Sequence, residues 1–534
     1  MTALRLLAAA LVLHLILAQP NHPAALTWQT PMIVALELPV LLALFAALPA
    51  RHWATTWARG AFTLIVAAIA LQKLADFAMF TAFNRGFNPL VDMPLAVAGW
   101  RLGSGAVGLP LAVLALLAGL LAIVACALVF WWALGQWAAL RLPRGMGAPV
   151  LGIAGLGTLL VGAEVGHRMG AWSLPATPPG TAFTTRVAVE RAATLRQTWR
   201  DLGTFAKAAE QDPMAGRAGL LDRIGQRDVL LTYVESYGRA SLDGPLYAPT
   251  HRATLRQAEP GLRRAGYSLR SAWLRAPIVG GQSWLSHATL ASGLRIGDQS
   301  RYGALLASGR RTLFHMATEA GFESLAIMPA ITLNWPEARP LGFTRVLDAA
   351  ALNYAGRPYN WVTMPDQFTL RAVEQARAAA TAPLFAQIAL ISSHAPWVPI
   401  PPMVGWEAIN DGRIFDQWAD DGDPPEVVWR DHDRVRAAYR SAVDYSLTAA
   451  LSFAARQADD PPLIVLLGDH PAAGFVSQSD SFDVPIHIIG PPELVARIED
   501  WGWQEGLIPD GAPVWPMAAF RDRFLDAFSS GPAG

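Results

Sequence analysis

Five times within its first 170 residues the chain runs through a long, nearly uncharged apolar stretch, roughly over residues 4–18, 31–48, 60–80, 109–134 and 149–163. In a hydrocarbon layer every backbone N–H and C=O must find its partner inside its own segment, so runs of this kind can cross only as helices. Basic residues set the orientation: Arg5 precedes the first run, Arg51 and Arg59 flank one short loop, and Arg141 and Arg144 flank another. If all five runs span, these residues share one side, which places the N-terminus in the cytoplasm and exports the C-terminal half to the periplasmic or extracellular side of the cytoplasmic (inner) membrane. The loop over 82–107 weakens the bias, because it carries Arg85, Asp92 and Arg101. The first run, followed by Gln19-Pro20, reads as a retained helix rather than a cleaved secretory signal, since further spans follow and the small-residue cleavage pattern is poor. Lys73 and Asp76, near the outer end of the third run, read as a pair snorkelling to the interface rather than a headgroup site.

The remainder has the composition of a water-soluble domain. Lys and Arg number 42 and Asp and Glu 42, so the chain has no basic excess with which to hold nucleic acid. The one cysteine, Cys126, lies in an apolar run, which leaves the soluble half without disulfides, a thiolate nucleophile or cysteine-ligated zinc. A Pro-rich connector, Ser173 to Gly180, precedes a polar helix-favouring stretch over 186–209. Beyond Arg227, apolar runs at 229–234, 324–328, 384–391, 463–467 and 484–489 alternate with helical spacing at 369–380 and 434–455. Such alternation predicts a mostly parallel sheet covered on both faces. The expected organisation is therefore a polytopic α-helical membrane domain over 1–170, a linker and juxtamembrane helix over 171–226, and an exported α/β domain with a mostly parallel central sheet over 227–534.

Two of the buried-looking runs end in metal-type ligands. Val229 to Val234 stops at Glu235, and Leu463 to Leu467 passes through Gly468 to Asp469 and His470. Open α/β folds place their chemistry at the carboxyl edge of the sheet, so these ends predict a metal site there. Between them lies Gly280-Gly281-Gln282-Ser283-Trp284-Leu285-Ser286-His287-Ala288-Thr289. A glycine pair ahead of a hydroxyl and a helix start lets backbone N–H groups approach a phosphate. A serine there also commonly caps a helix, and Ser286 and Thr289 offer hydroxyls in neighbouring registers. A serine hydroxyl is a poor nucleophile at neutral pH, and coordination to a divalent cation both lowers its pKa and fixes it for in-line attack on phosphorus. Two carboxylates with one imidazole suit Mn²⁺ or Zn²⁺ better than Mg²⁺. His394 and His287 could protonate a leaving oxygen or orient the phosphate.

The order Glu235, Ser283, Asp469-His470 resembles the alkaline phosphatase superfamily, and within it the membrane-anchored branch of lipoteichoic acid synthases, periplasmic phosphoglycerol transferases and phosphoethanolamine transferases. The resemblance covers residues 229–492 and extends to the membrane half in architecture. It implies an alkaline phosphatase-like fold with one divalent metal held by Glu235, Ser283, Asp469 and His470, and Ser283 as nucleophile. Ser392-Ser393-His394-Ala395-Pro396 matches the motif that supplies a substrate-contacting histidine. Trp335 matches a headgroup-binding tryptophan, but Glu337 stands where that motif has arginine, with Arg339 as a candidate replacement.

The resemblance implies transfer of a phospholipid headgroup, through a covalent Ser283 intermediate, to an extracytoplasmic glycan or lipid. A membrane tether concentrates lipid headgroups near the site, whereas a soluble substrate would gain nothing from it. Phosphoglycerol is favoured as the group transferred, because the phosphoethanolamine branch usually carries disulfides in its exported domain. Ser283 lacks the Pro and Arg context of a formylglycine sulfatase, and no convincing second metal set exists; Asp431-His432-Asp433 reads as a solvated helix start. The alternatives are a membrane-anchored phosphodiesterase or sulfatase-type hydrolase, and a non-catalytic assembly protein, against which the intact ligand set argues. The acceptor and the oligomeric state are not legible in the sequence.

Overall fold

A computed structural model describes residues 2–531 except 84, 94, 96–98, 101–103, 105–107 and 177, so Arg101 and Thr177 lie outside the described residues. The chain divides into two compact units, Met1–Asp201 and Leu202–Gly534. In the first, three helices are long and apolar enough to cross a membrane: Trp53–Thr81, Leu109–Ala138 and Gly147–Arg168. The other two runs form shorter apolar helices, Ala3–Leu17 and Glu37–Ala47, because the chain turns at Ala18-Gln19-Pro20 and again at Leu48-Pro49. Three of the five expected spans therefore have full membrane length.

The expected snorkelling pair is not one. Lys73 and Asp76 are both buried and turn to different partners. Lys73 Nζ donates to the Leu17 carbonyl at 2.9 Å and to Thr184 Oγ1 at 3.1 Å. Asp76 pairs with Arg191 at 2.9 Å and accepts from Gln72 and the Phe87 N–H, both at 2.9 Å. Arg191 belongs to the helix Phe183–Glu210, whose first turn is held by Glu37 Oε1 accepting from the N–H groups of Thr184 and Thr185, each at 2.8 Å. Charge inside this unit thus ties helices together, as buried charge must when water is excluded.

The second unit is built on a nine-stranded sheet. Its strands are β1 (Val229–Val234), β2 (Ser268–Arg275), β3 (Glu323–Met328), β4 (Arg345–Asp348), β5 (Leu384–Leu390), β6 (Leu463–Gly468), β7 (Asp483–Gly490), β8 (Gln504–Glu505) and β9 (Val514–Pro516). They lie in the order β4-β3-β5-β1-β6-β7-β2-β8, with β9 pairing with β2. From β4 to β6 every pairing is parallel, and β7 turns antiparallel to both β6 and β2. Central parallel strands are buried on both faces, which is why β1, β5 and β6 read as continuous apolar runs.

Alternation along β1 feeds two separate cores. Leu231 and Tyr233 pack with Leu285 and Ala288 of the helix Ser283–Ser292. Leu230 and Val234 pack on the other face with Tyr439, Val443 and Leu447 of the helix His432–Arg456. Asp431 caps that second helix, accepting from Asp433 N at 2.8 Å and Arg434 N at 3.3 Å, so the Asp-His-Asp cluster is a helix start.

Candidate active site

Register assembles the site. Val234 lies opposite Gly468 in the parallel β1–β6 pair, so Glu235 and Asp469 leave neighbouring strands side by side. The close approach at this edge requires glycine: a Cβ on Gly468 would stand 1.9 Å from the Tyr237 carbonyl oxygen. After Glu235 the chain reverses through Ser236 at φ 61°, which turns the Ser236 N–H onto Asp469 Oδ1 at 2.9 Å. Tyr439 pins this turn by donating to the Ser236 carbonyl at 2.8 Å. The His470 N–H also reaches Asp469 Oδ1, at 2.7 Å.

Ser283 enters from the other side. Gly280, Gly281 and Gln282 have φ of 79°, 136° and 66°, a left-handed run that the glycines tolerate and that deposits Ser283 as the first helical residue. Gly280 N–H donates to the Pro471 carbonyl at 2.9 Å, fastening this loop beside His470. Ser283 Oγ donates to Glu235 Oε2 at 2.7 Å and lies 3.3 Å from His470 Nε2. The cap position belongs to Gln282, so the Ser283 hydroxyl does not cap the helix. The neighbouring hydroxyls point elsewhere: Thr289 donates to the Leu285 carbonyl at 2.7 Å, and Ser286 is fully buried with its Oγ unpartnered.

Glu235, Asp469 and His470 are all buried, and one ligand atom from each lies within 4.8 Å of the others. His470 Nδ1 lies 3.0 Å from the Pro471 carbonyl, which fixes the proton on Nδ1 and turns Nε2 toward Glu235 Oε1 at 3.1 Å. Burial disfavours the charged imidazole, but Asp469 and then Glu235 outweigh it and lift His470 to about 9. Burial would raise Glu235, yet the facing His470 holds it below the usual carboxylate range, while burial and the Glu235 charge push Asp469 well up. Two buried carboxylates converging on one imidazole nitrogen demand a countercharge, and this oxygen-nitrogen set fits a divalent cation.

A cavity of about 450 Å³ opens beside Ser283. His287, one turn along the helix, lines it with its ring 3.9 Å from that of Tyr233 and its Nε2 unpartnered. Burial lowers His287 to about 3, so the ring is neutral. His394 is exposed and also lines the cavity, with Nδ1 2.6 Å from the Ala395 carbonyl. Trp335 and Glu337 line it as well, whereas Arg339 is exposed and is not among its walls. Ser283, His287, His394 and Trp335 thus share one cavity, with Glu235 at its base, and Arg339 stands apart.

Sequence reasoning passed over the residues that hold the site. Ser393 Oγ donates to the Glu235 carbonyl at 2.7 Å, locking the end of β5 to that of β1. Asp366, fully buried, accepts from the N–H groups of Ile391 and Ser392 at 2.7 and 2.9 Å and from Ser446 Oγ at 2.6 Å. An acidic residue after Pro365, opening a helical pattern, was the available signal, and it reads as a helix start.

No protein-family model and no curated protein sequence matches this chain. Among solved structures, the chain is similar to the integral membrane lipooligosaccharide phosphoethanolamine transferase A of Neisseria meningitidis, with 14% identity, 98% of this chain and 95% of that one covered, and a TM-score of 0.47. It is similar to the lipoteichoic acid synthase LtaP of Listeria monocytogenes, with 12% identity, coverage of 54% and 70%, and a TM-score of 0.37. It is also similar to the Streptococcus pyogenes phosphoglycerol transferase GacH in complex with sn-glycerol-1-phosphate, with 11% identity, coverage of 61% and 90%, and a TM-score of 0.35.

Proposed function

We propose that this chain is a multi-pass protein of the cytoplasmic membrane whose extracytoplasmic α/β unit moves a phospholipid headgroup, through Ser283, onto an alcohol of a glycan or lipid acceptor. The observation that carries the reading is the position of Ser283 Oγ, 2.7 Å from Glu235 Oε2 and 3.3 Å from His470 Nε2, at the wall of a cavity. Glu235, Asp469 and His470, with Ser283 itself, would hold one Mn²⁺ or Zn²⁺. Such an ion, when bound, lowers the pKa of the serine hydroxyl and withdraws charge from a phosphoryl oxygen.

The chain's own residues account for the rest. Ser283 Oγ forms a bond to phosphorus as the bond from phosphorus to the diacylglycerol oxygen breaks, leaving the headgroup as a phosphodiester on Ser283. The hydroxyl proton has an acceptor within reach at Glu235 Oε2. The departing diacylglycerol oxygen takes a proton at the open side of the cavity, where exposed His394 is placed to supply it. His287, neutral and unpartnered at Nε2, is placed to hold a phosphoryl oxygen or its proton. In the second half-reaction the acceptor hydroxyl gives its proton to His394 and attacks the same phosphorus, while the bond from phosphorus to Ser283 Oγ breaks and Ser283 Oγ regains its proton from Glu235.

The test is diacylglycerol release from labelled phospholipid by the full chain with Mn²⁺ or Zn²⁺, beside Ser283→Ala. Release in the parent and a loss of ~10³-fold or more in the variant, with the bound metal retained, is expected. Full activity in Ser283→Ala would refute the nucleophile. Hydrolysis of a simple phosphodiester without any consumption of lipid would replace the transferase with a membrane-anchored hydrolase.

A further inference from the structure

One carboxylate in the cavity has no part in the reaction at phosphorus. Glu337 lies in the short turn Pro336–Ala338, part-buried, and lines the same cavity as Ser283. Its carboxylate has no hydrogen-bond or ion-pair partner among the described residues. Two aromatic side chains share this wall. Trp335 is braced by Phe343, their ring centroids 5.6 Å apart, and Tyr302 is buried. Burial raises the Tyr302 phenol, and the neighbouring Glu337 charge raises it further, which places that carboxylate within electrostatic reach of the ring.

Among the described residues no arginine or lysine lines the cavity, and its two histidines, His287 and His394, are already assigned to the phosphoryl oxygen and the leaving oxygen. An unpaired carboxylate on a partly dry wall is costly, and it repels a second anion. A headgroup bearing only hydroxyls would bring the donor's phosphate charge into the cavity and leave Glu337 unmatched. A headgroup ending in a cation would neutralise Glu337 on a wall shared with the aromatic side chains of Trp335 and Tyr302, surroundings that suit ammonium groups.

We infer that Glu337, with Trp335 and Tyr302, selects a phospholipid donor whose headgroup ends in an alkylammonium cation. This rests on the transferase reading, and it argues against the phosphoglycerol preference drawn from the missing cysteines, since cysteine content says nothing about the walls of the cavity. Primary and quaternary ammonium share the recognising chemistry and differ in size and hydrogen bonding. Specificity is the difference between donors, so the ranking is the quantity to measure.

The full chain in detergent is given phosphatidylethanolamine, phosphatidylcholine or phosphatidylglycerol of identical acyl chains, with Mn²⁺, and diacylglycerol release is followed. Release from an ammonium lipid should exceed release from phosphatidylglycerol by ~10-fold or more, the scale of one charge-assisted contact. The stronger of the two ammonium lipids identifies the cation as primary or quaternary. Glu337→Gln should erase this preference, and Glu337→Arg should invert it. Faster release from phosphatidylglycerol by the unmutated chain would overturn the inference while leaving the transferase standing, and this result does not depend on how either variant folds. An unchanged ranking in a folded Glu337→Gln would also overturn it. No release from any of the three lipids would overturn the inference and the transferase reading together.

Discussion

Stripping divalent cation from the site leaves Glu235, Asp469 and His470 to balance their own charge, and the pH dependence of stability follows from that. His470 is buried, which by itself would lower its pKa, but the facing Asp469 and Glu235 lift it from 6.5 to about 9. The folded value exceeds the unfolded one, so the stabilisation is fully present below about pH 6.5 and is lost as the pH rises through about 9. At about 1.4 kcal/mol per pKa unit, the loss is about 3 kcal/mol, held by the three groups jointly rather than by one atom. For a unit spanning Leu202–Gly534 that corresponds to a fall in melting temperature of ~4 °C. The measurement is the thermal melting of the chelator-treated full chain across this pH window, beside His470→Gln, which should lose most of the slope. Metal uptake should release at least one proton near pH 7.5, and apparent affinity should rise with pH until His470 is fully deprotonated. Equal slopes in parent and His470→Gln, or metal uptake without proton release, would refute this account of the charge balance.

Two further substitutions test how the site is held. Gly468→Ala drives a Cβ to within 1.9 Å of the Tyr237 carbonyl oxygen, so the ends of β1 and β6 must part. A destabilisation of ~1–3 kcal/mol is expected, with weakened metal binding measured by calorimetry, and parental values for both would show that this contact does not matter. Asp366→Ala strips acceptors from two backbone N–H groups and Ser446 Oγ in a fully buried place, for a loss of ~3–5 kcal/mol read from thermal melting. Asp366→Asn keeps an acceptor oxygen and should cost less; equal losses would assign the effect to charge instead of hydrogen bonding.

What the sequence disclosed and what it hid divide along one physical line. The strands buried on both faces announce themselves because nothing along them needs to be polar, and the ligands that end β1 and β6 stand out against that background. β2 mixes Ser268, Arg270 and Ser271 with apolar residues, and β8 and β9 are two and three residues long, so their existence depends on pairing with β2 and not on local pattern. Hydropathy located Lys73 and Asp76 at the right depth along an apolar run, but it carries no information on which way a helix turns, and both face inward to Thr184 and Arg191. Asp366 was unreadable because its partners are backbone N–H groups 25 and 26 residues away. The same limit governs the site. Sequence shows that Glu235, Ser283, Asp469 and His470 are available, while the Val234–Gly468 register and the left-handed run before Ser283 decide that they meet. Glu337 is the sharpest case: as a departure from a motif it was only a mismatch, and as an unpaired carboxylate on a wall with two aromatic rings it becomes a statement about the charge of the donor.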